Sequence, residues 1–73
     1  PTDGMVNVEF DQSINSDVEI SFFDIAGRSL ESSNSTMRGE TEIQLDFSKH
    51  PAGEYLLMIR IDDEVIKKKI IIQ

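Results

Sequence analysis

Hydrophobic and polar residues alternate in several short segments of the chain, as expected of β-strands with one buried and one exposed face. Val6, Val8 and Phe10, for example, are separated by single polar residues. Turn-forming residues, mainly Gly, Pro, Asp, Asn and Ser, lie between these segments. The pattern predicts strands over residues 5–10, 17–24, 28–32, 41–46, 54–61 and 65–72, with a seventh at the edge of a Ser-rich loop around 36–38.

Helical periodicity is not maintained in any window of ten or more residues, which excludes a βαβ architecture. We therefore predict one all-β domain over residues 1–73, an antiparallel immunoglobulin-like β-sandwich of six to seven short strands. Residues 54–61 are apolar on both faces and predict a central strand. The predicted core comprises Val8, Phe10, Val18, Ile20, Phe22, Ile43, Leu45, Tyr55, Leu57 and Ile59.

The chain is too short to bury a large core, and its composition offers no covalent or metal staple. It has 73 residues, no Cys and a single His. Strand pairing must therefore supply the stability, and we expect neither a cofactor nor a bound metal.

Charge excludes two classes of partner. Fourteen acidic and seven basic residues give a net charge of -7, which disfavours binding to nucleic acid or anionic lipid.

No apolar run approaches the roughly 20 residues of a transmembrane helix, and the N-terminus does not resemble a signal peptide. Because the chain begins at Pro1 without an initiator Met, we interpret it as the C-terminal fragment of a larger exported precursor.

The sequence offers little for catalysis or metal binding. His50 lies in a turn beside Pro51 with no oxyanion-binding loop nearby, which favours a structural or surface role. Asp62-Asp63-Glu64 lacks the alternating acidic spacing of a calcium loop and predicts a hairpin turn instead. Asn34-Ser35-Thr36 matches the glycosylation sequon, which a Ser-rich loop produces by chance. We predict that the domain is not an enzyme.

A basic, apolar segment, Lys67 to Ile72, ends the last predicted strand. Its three lysines have two interpretations. They can guard an Ile-rich edge strand against unwanted pairing. Alternatively, they form a handle that a receptor docks through strand addition or charge.

Three motifs occur in the order and spacing of a known family: Pro1-Thr2-Asp3-Gly4, Asp24-Ile25-Ala26-Gly27-Arg28 and Pro51-Ala52-Gly53-Glu54-Tyr55-Leu56-Leu57. With the basic ending, they make the whole chain resemble the type A C-terminal sorting domain of the Bacteroidetes type IX secretion system (Por secretion system). The family form of the first motif usually starts with Tyr-Pro-Asn-Pro, and this chain begins inside it.

The resemblance implies a secretion signal without catalytic chemistry. In that family the domain directs a cargo protein, fused upstream, from the periplasm across the outer membrane to the cell surface or the medium. Its partners are the translocon and a sortase-like cell-surface peptidase, which commonly removes the domain and joins the cargo to an anionic lipopolysaccharide. The expected recognition residues are Lys67, Lys68, Lys69, Ile70, Ile71 and Ile72, while Gly4, Asp24, Gly27, Arg28, Pro51, Gly53 and Tyr55 are expected to maintain the fold. At Gly53 we expect a conformation or a close contact that excludes a side chain.

A generic immunoglobulin-like or fibronectin-like accessory domain of a surface enzyme or adhesin, binding protein or carbohydrate, is the alternative. Exposed aromatic residues would favour it. The chain has no Trp, one Tyr and four Phe, mostly at inward positions, so it offers little for stacking sugar rings.

Overall fold

A computed structural model describes residues 2–73 as four β-strands without a helix. The strands are β1 (Met5–Asp24), β2 (Ser29–Asp46), β3 (Gly53–Ile61) and β4 (Glu64–Ile72). They form one antiparallel sheet in the order β2-β1-β3-β4. The all-β antiparallel class and the inner position of the 54–61 strand are thus confirmed. The immunoglobulin-like sandwich of six to seven strands is not confirmed: residues 2–73 form four strands of one sheet.

The difference arises because two polar segments that predicted loops are extended, and parts of them pair with each other. Residues 11–16 join the first two predicted strands into β1, and residues 33–40 do the same within β2. Asn15 lies opposite Arg38 and Ser16 opposite Met37. Register shifts between Glu9 and Asn15 absorb the mismatch between the two strands. Where the two strands pair, from Ile14 onwards, the partner strand satisfies the backbone groups, so polar side chains do not prevent a long strand.

β1 and β2 form a long two-stranded ribbon, whose open end, at Met5 and Asp46, packs against the core of the sheet. The ring of Phe47, directly after β2, stacks on Phe22 with 3.9 Å between ring centroids and 4° between planes. The Phe47 amide donates a 2.7 Å hydrogen bond to the Gly4 carbonyl. Thr2, before β1, forms a parallel bridge with Ile72 at the end of β4. The first and last described residues therefore meet at the same place.

The core is one continuous cluster of buried apolar side chains. Seven predicted core residues are buried in it, while Phe10, Ile43 and Leu45 are partly buried and pack against it. Met37 and Phe47 also belong to the cluster, although both lie in polar segments. The buried set is Val8, Val18, Ile20, Phe22, Met37, Phe47, Tyr55, Leu57, Ile59, Ile70 and Ile72.

Gly4 and Gly53, two glycines of the motifs, differ in what a side chain would contact at each position. A side chain at Gly4 would place Cβ 2.5 Å from the Ser48 Cα atom, and the φ of Gly4 is +109°. At Gly53 the φ of +157° is unusual for other residues, yet a Cβ would meet only the Tyr55 ring, at 3.8 Å. Of the two features expected at Gly53, the structure shows the conformation, whereas a close contact that excludes a side chain occurs at Gly4, where the chain before β1 crosses the turn after β2.

We expect Gly4→Ala to destabilise the domain because the new methyl group collides with backbone atoms that cannot rotate away. Gly39→Ala is a matched control: the φ of Gly39 is +96°, but its Cβ would meet only the Asn15 Oδ1 atom, at 4.0 Å. Both variants carry the conformational cost, and Gly4→Ala should lose about 1–3 kcal/mol more through overpacking. Denaturant unfolding measures the difference, and equal losses would contradict the close approach at Gly4.

Candidate functional site

The sheet register gathers the motifs of the sequence at one end of the molecule. Asp24 pairs with Tyr55, which in turn pairs with Ile70, so the turn after β1 and the turn before β3 flank the end of β4. Thr2 reaches the same end through its bridge with Ile72. We call this region the motif end. The turn at Asp62-Asp63 joins β3 to β4 at the opposite end, which confirms the predicted hairpin.

The turn between β1 and β2 is fixed by one carboxylate. Asp24 Oδ1 accepts hydrogen bonds from the Ala26 and Arg28 amides at 3.0 and 2.9 Å, and Asp24 Oδ2 accepts one from Arg28 Nε at 2.9 Å. The Gly27 amide, in a residue with φ of +87°, donates to the Asp24 carbonyl. The Arg28 amide is the main cause that lowers the pKa of Asp24, and the guanidinium adds to it. This motif stabilises a turn whose tip, Ile25, is 80% exposed.

The turn before β3 is tied down by a tyrosine. The Tyr55 hydroxyl donates a hydrogen bond to the Pro51 carbonyl. The Tyr55 ring is buried against Phe22, with ring centroids 4.9 Å apart. A ring that fills the core while its hydroxyl satisfies a nearby backbone carbonyl holds the turn against the sheet. These contacts are in keeping with the structural role predicted for Pro51 and Tyr55.

His50 is held by a structural contact. Its Nε2 atom lies within hydrogen-bond distance of Glu31 Oε2, and its ring centroid is 5.1 Å from that of Phe22. Lys49 Nζ lies 3.8 Å from the same Glu31 oxygen. These contacts connect the turn after β2 to the start of β2. Residues 2–73 contain no cluster of His, Cys, Asp and Glu side chains suited to holding a metal ion.

The register of β4 places the three lysines on different faces of the sheet. Lys68 lies opposite Leu57, which is fully buried, so Lys68 is on the core side of an edge strand. Lys67 and Lys69 lie opposite Met58 and Leu56, so they are on the outer side. An inward-facing lysine on an edge strand is a known protection against unwanted strand pairing. The edge-guard interpretation therefore fits Lys68, and it does not account for the other two lysines.

The isoleucines of the same segment also divide between the faces. Ile70 and Ile72 are buried in the core, whereas Ile71 is 37% exposed. The outward side chains at the end of β4 are therefore Lys67, Lys69 and Ile71, which we call the outer strip. The whole segment 67–72 was predicted as one handle, because a run of sequence does not reveal which residues share a face.

The outer strip borders a partly apolar area. Met58 and Leu56 of β3, and Phe23 of β1 opposite Leu56, are all half-buried on this side of the sheet. Lys69 Nζ lies 3.3 Å from Glu54 Oε1, an exposed pair that contributes little stability. Lys67 makes no ion pair within 4 Å among residues 2–73. The outer strip thus offers charge and apolar contact together.

We expect Asp24→Asn to flatten the loss of stability in acid. The folded-state pKa of Asp24 lies below its ordinary value of 3.8, so the charged carboxylate stabilises the fold above that pH. This contribution is lost as the pH falls through the folded-state pKa. Melting temperatures between pH 7 and pH 2 for the original chain and Asp24→Asn should therefore converge at low pH.

Arg28→Gln is the control for this comparison. It removes the guanidinium but keeps the backbone amide of residue 28, which is the main cause of the lowered pKa of Asp24. Most of the acid dependence that Asp24→Asn removes should therefore remain in Arg28→Gln. If both substitutions flatten the profile equally, the guanidinium and not the backbone amide controls this carboxylate.

Comparison with known proteins identifies a family for the whole chain. The family model described as "Secretion system C-terminal sorting domain" matches residues 1–73. No curated protein matches the chain. Residues 2–73 include no helix long and apolar enough to cross a membrane. The family indicates a signal for export out of the cell, with a cargo protein upstream and a secretion machinery that reads the signal. This chain therefore belongs to the type IX secretion system C-terminal sorting domains.

Proposed function

We propose that residues 1–73 are a single, non-catalytic sorting module that carries an upstream cargo protein from the periplasm across the outer membrane. The translocon of the type IX system reads the module, and a sortase-like peptidase at the cell surface then removes it and attaches the cargo. The observation that carries this proposal is the family match over the full length of the chain. The structural roles of His50, Asp24 and Tyr55 support a signal that acts by being recognised.

Within the predicted handle, Lys68 and the outer strip are exposed, and we infer that a receptor contacts the outer strip, where the side chains share one face beside a partly apolar area. Lys67 and Lys69 are exposed, and Ile71 is the exposed isoleucine of the segment. Two cations beside an apolar area are distinctive on a domain with a net charge of -7. Such a strip suits an acidic receptor surface with an apolar centre, since complementary charges favour encounter and orientation.

An accessory domain that binds carbohydrate is less well supported by the side chains. Sugar rings stack on exposed aromatic faces. Phe22, Phe47 and Tyr55 are buried, and Phe10 and Phe23 are half-buried. Within residues 2–73 there is thus no fully exposed aromatic ring, and the sorting function remains our proposal.

The two lysines of the outer strip provide a test of recognition. We expect Lys67→Glu/Lys69→Glu in a reporter fused to residues 1–73 to leave the reporter in the periplasm of a Bacteroidetes host. Lys68→Glu, which changes the neighbouring residue on the core side, should be exported at close to the normal rate. Comparing periplasmic, surface and medium fractions, with and without a working type IX system, measures the effect.

Folding must be compared in parallel, because an unfolded signal would also be retained. Exposed substitutions usually change stability by less than about 0.5 kcal/mol, so both proteins should melt close to the original domain. Normal export of a folded Lys67→Glu/Lys69→Glu protein would show that the translocon reads another surface. Loss of export with Lys68→Glu alone would move recognition to the core-side edge.

A further inference from the structure

The outer edge of β4 is open along most of its length. β4 is the last strand of the sheet and pairs only with β3 along Glu64–Ile72. Within residues 2–73, the backbone partner on its other side is Thr2, beside Ile72. The stretch from Val65 to Ile71 leaves a backbone edge of about 20 Å. Native proteins usually cover or block an exposed edge of this length.

The bond pattern around Thr2 shows which β4 groups face this edge. The Thr2 amide donates to the Ile71 carbonyl, and the Gln73 amide donates to the Thr2 carbonyl, both at 2.9 Å. Backbone groups alternate sides along a strand. The amides and carbonyls of Val65, Lys67 and Lys69, and the Ile71 amide, therefore point to the open edge. Those of Ile66, Lys68 and Ile70 point to β3.

The direction of the Thr2 bridge is parallel to β4. Residues that precede Thr2, if they continue in the same direction, run back along the open edge from Ile71 towards Val65. The spacing of a parallel ladder then fixes their partners. The second residue before Thr2 would donate to the Lys69 carbonyl and accept from the Ile71 amide. The fourth would donate to the Lys67 carbonyl and accept from the Lys69 amide, and the sixth would accept from the Lys67 amide.

We propose that the segment joining the cargo to this domain adds a parallel strand to the open edge of β4. This proposal rests on the proposed function, which places a cargo upstream of the domain. The segment extends a pairing that Thr2 has already begun, with both hydrogen bonds in place. Because one end is held beside the edge, its effective concentration is far higher than that of a free strand. A second copy of the chain, with a charge of -7, would be repelled.

The added strand would make different surfaces of β4 accessible before and after the cargo is released. While the cargo is attached, the backbone edge is occupied, and the translocon contacts the outer strip through its side chains. Severing the cargo from the domain inside the segment removes the continuous chain that holds the added strand. The open edge then becomes available only in the released domain.

Hydrogen exchange measured by NMR on the precursor tests this pairing. In the precursor with its own upstream residues, the amides of Lys67, Lys69 and Ile71 should exchange at least about tenfold more slowly than free amides. Proline at both the second and the fourth residue before Thr2 removes the two donors and should restore fast exchange at these positions. Proline at both the third and the fifth residue, whose amides would face away from β4, is the matched control and should keep the protection.

The amides of Ile66, Lys68 and Ile70 report whether the domain remains folded, since they pair with β3. Fast exchange of Lys67 and Lys69 in the unmodified precursor, with these three protected, would overturn the proposal. Protection that rises with protein concentration would also overturn it, in favour of a second copy. The result is independent of export: a failure of the lysine test would leave the pairing intact, and a failure here would leave the secretion signal intact.

Discussion

The stacking of Phe47 on Phe22 is the interaction on which the rest of the structure depends. Phe22 lies in the middle of the sheet, and Phe47 is directly after β2, at the open end of a long two-stranded ribbon. Their contact holds the ribbon end against the core. It also places the Gly4 carbonyl where the Phe47 amide can bond to it. Without this contact, the open end of the ribbon would be attached to the rest of the sheet mainly by the Thr2–Ile72 bridge and by the packing of Val8.

A small core without disulfides makes each of these contacts important. The aromatic group of Phe22, Phe47 and Tyr55 joins β1, the end of β2 and the start of β3 in one buried stack. A domain of this size buries only about 60% of the surface of its unfolded chain, so it has little stability to lose. The motif residues at Gly4, Asp24 and Tyr55 hold the chain around this stack, and this explains their structural role.

The same architecture gives the end of β4 two different faces. Its core-facing side completes the fold with Ile70 and Ile72, while its outer side presents Lys67 and Lys69. One strand thus serves stability on one face and offers contact on the other, because side chains alternate along a strand. The backbone edge is a third surface of the same strand, and Thr2 closes its last part.

The sequence by itself determined the all-β class, the three turns between the strands, the inner strand and most of the core. These follow from the period of two in apolar residues and from turn chemistry, which are local. Family membership was also recognisable from three spaced motifs and the basic ending. The close approach at Gly4 was not, because it depends on Ser48, a residue far along the chain.

Only the tertiary structure decided which polar segments are strands and which face each lysine occupies. Residues 11–16 and 33–40 show no useful alternation, yet they lie within long strands because residues 14–16 pair with residues 37–40, and residues 33–36 pair with residues 17–20. Met37 is buried in the middle of that polar stretch. Lys68 differs from Lys67 and Lys69 only through its register with Leu57. Periodicity reports the environment of side chains, whereas pairing and register depend on distant partners that no local pattern specifies.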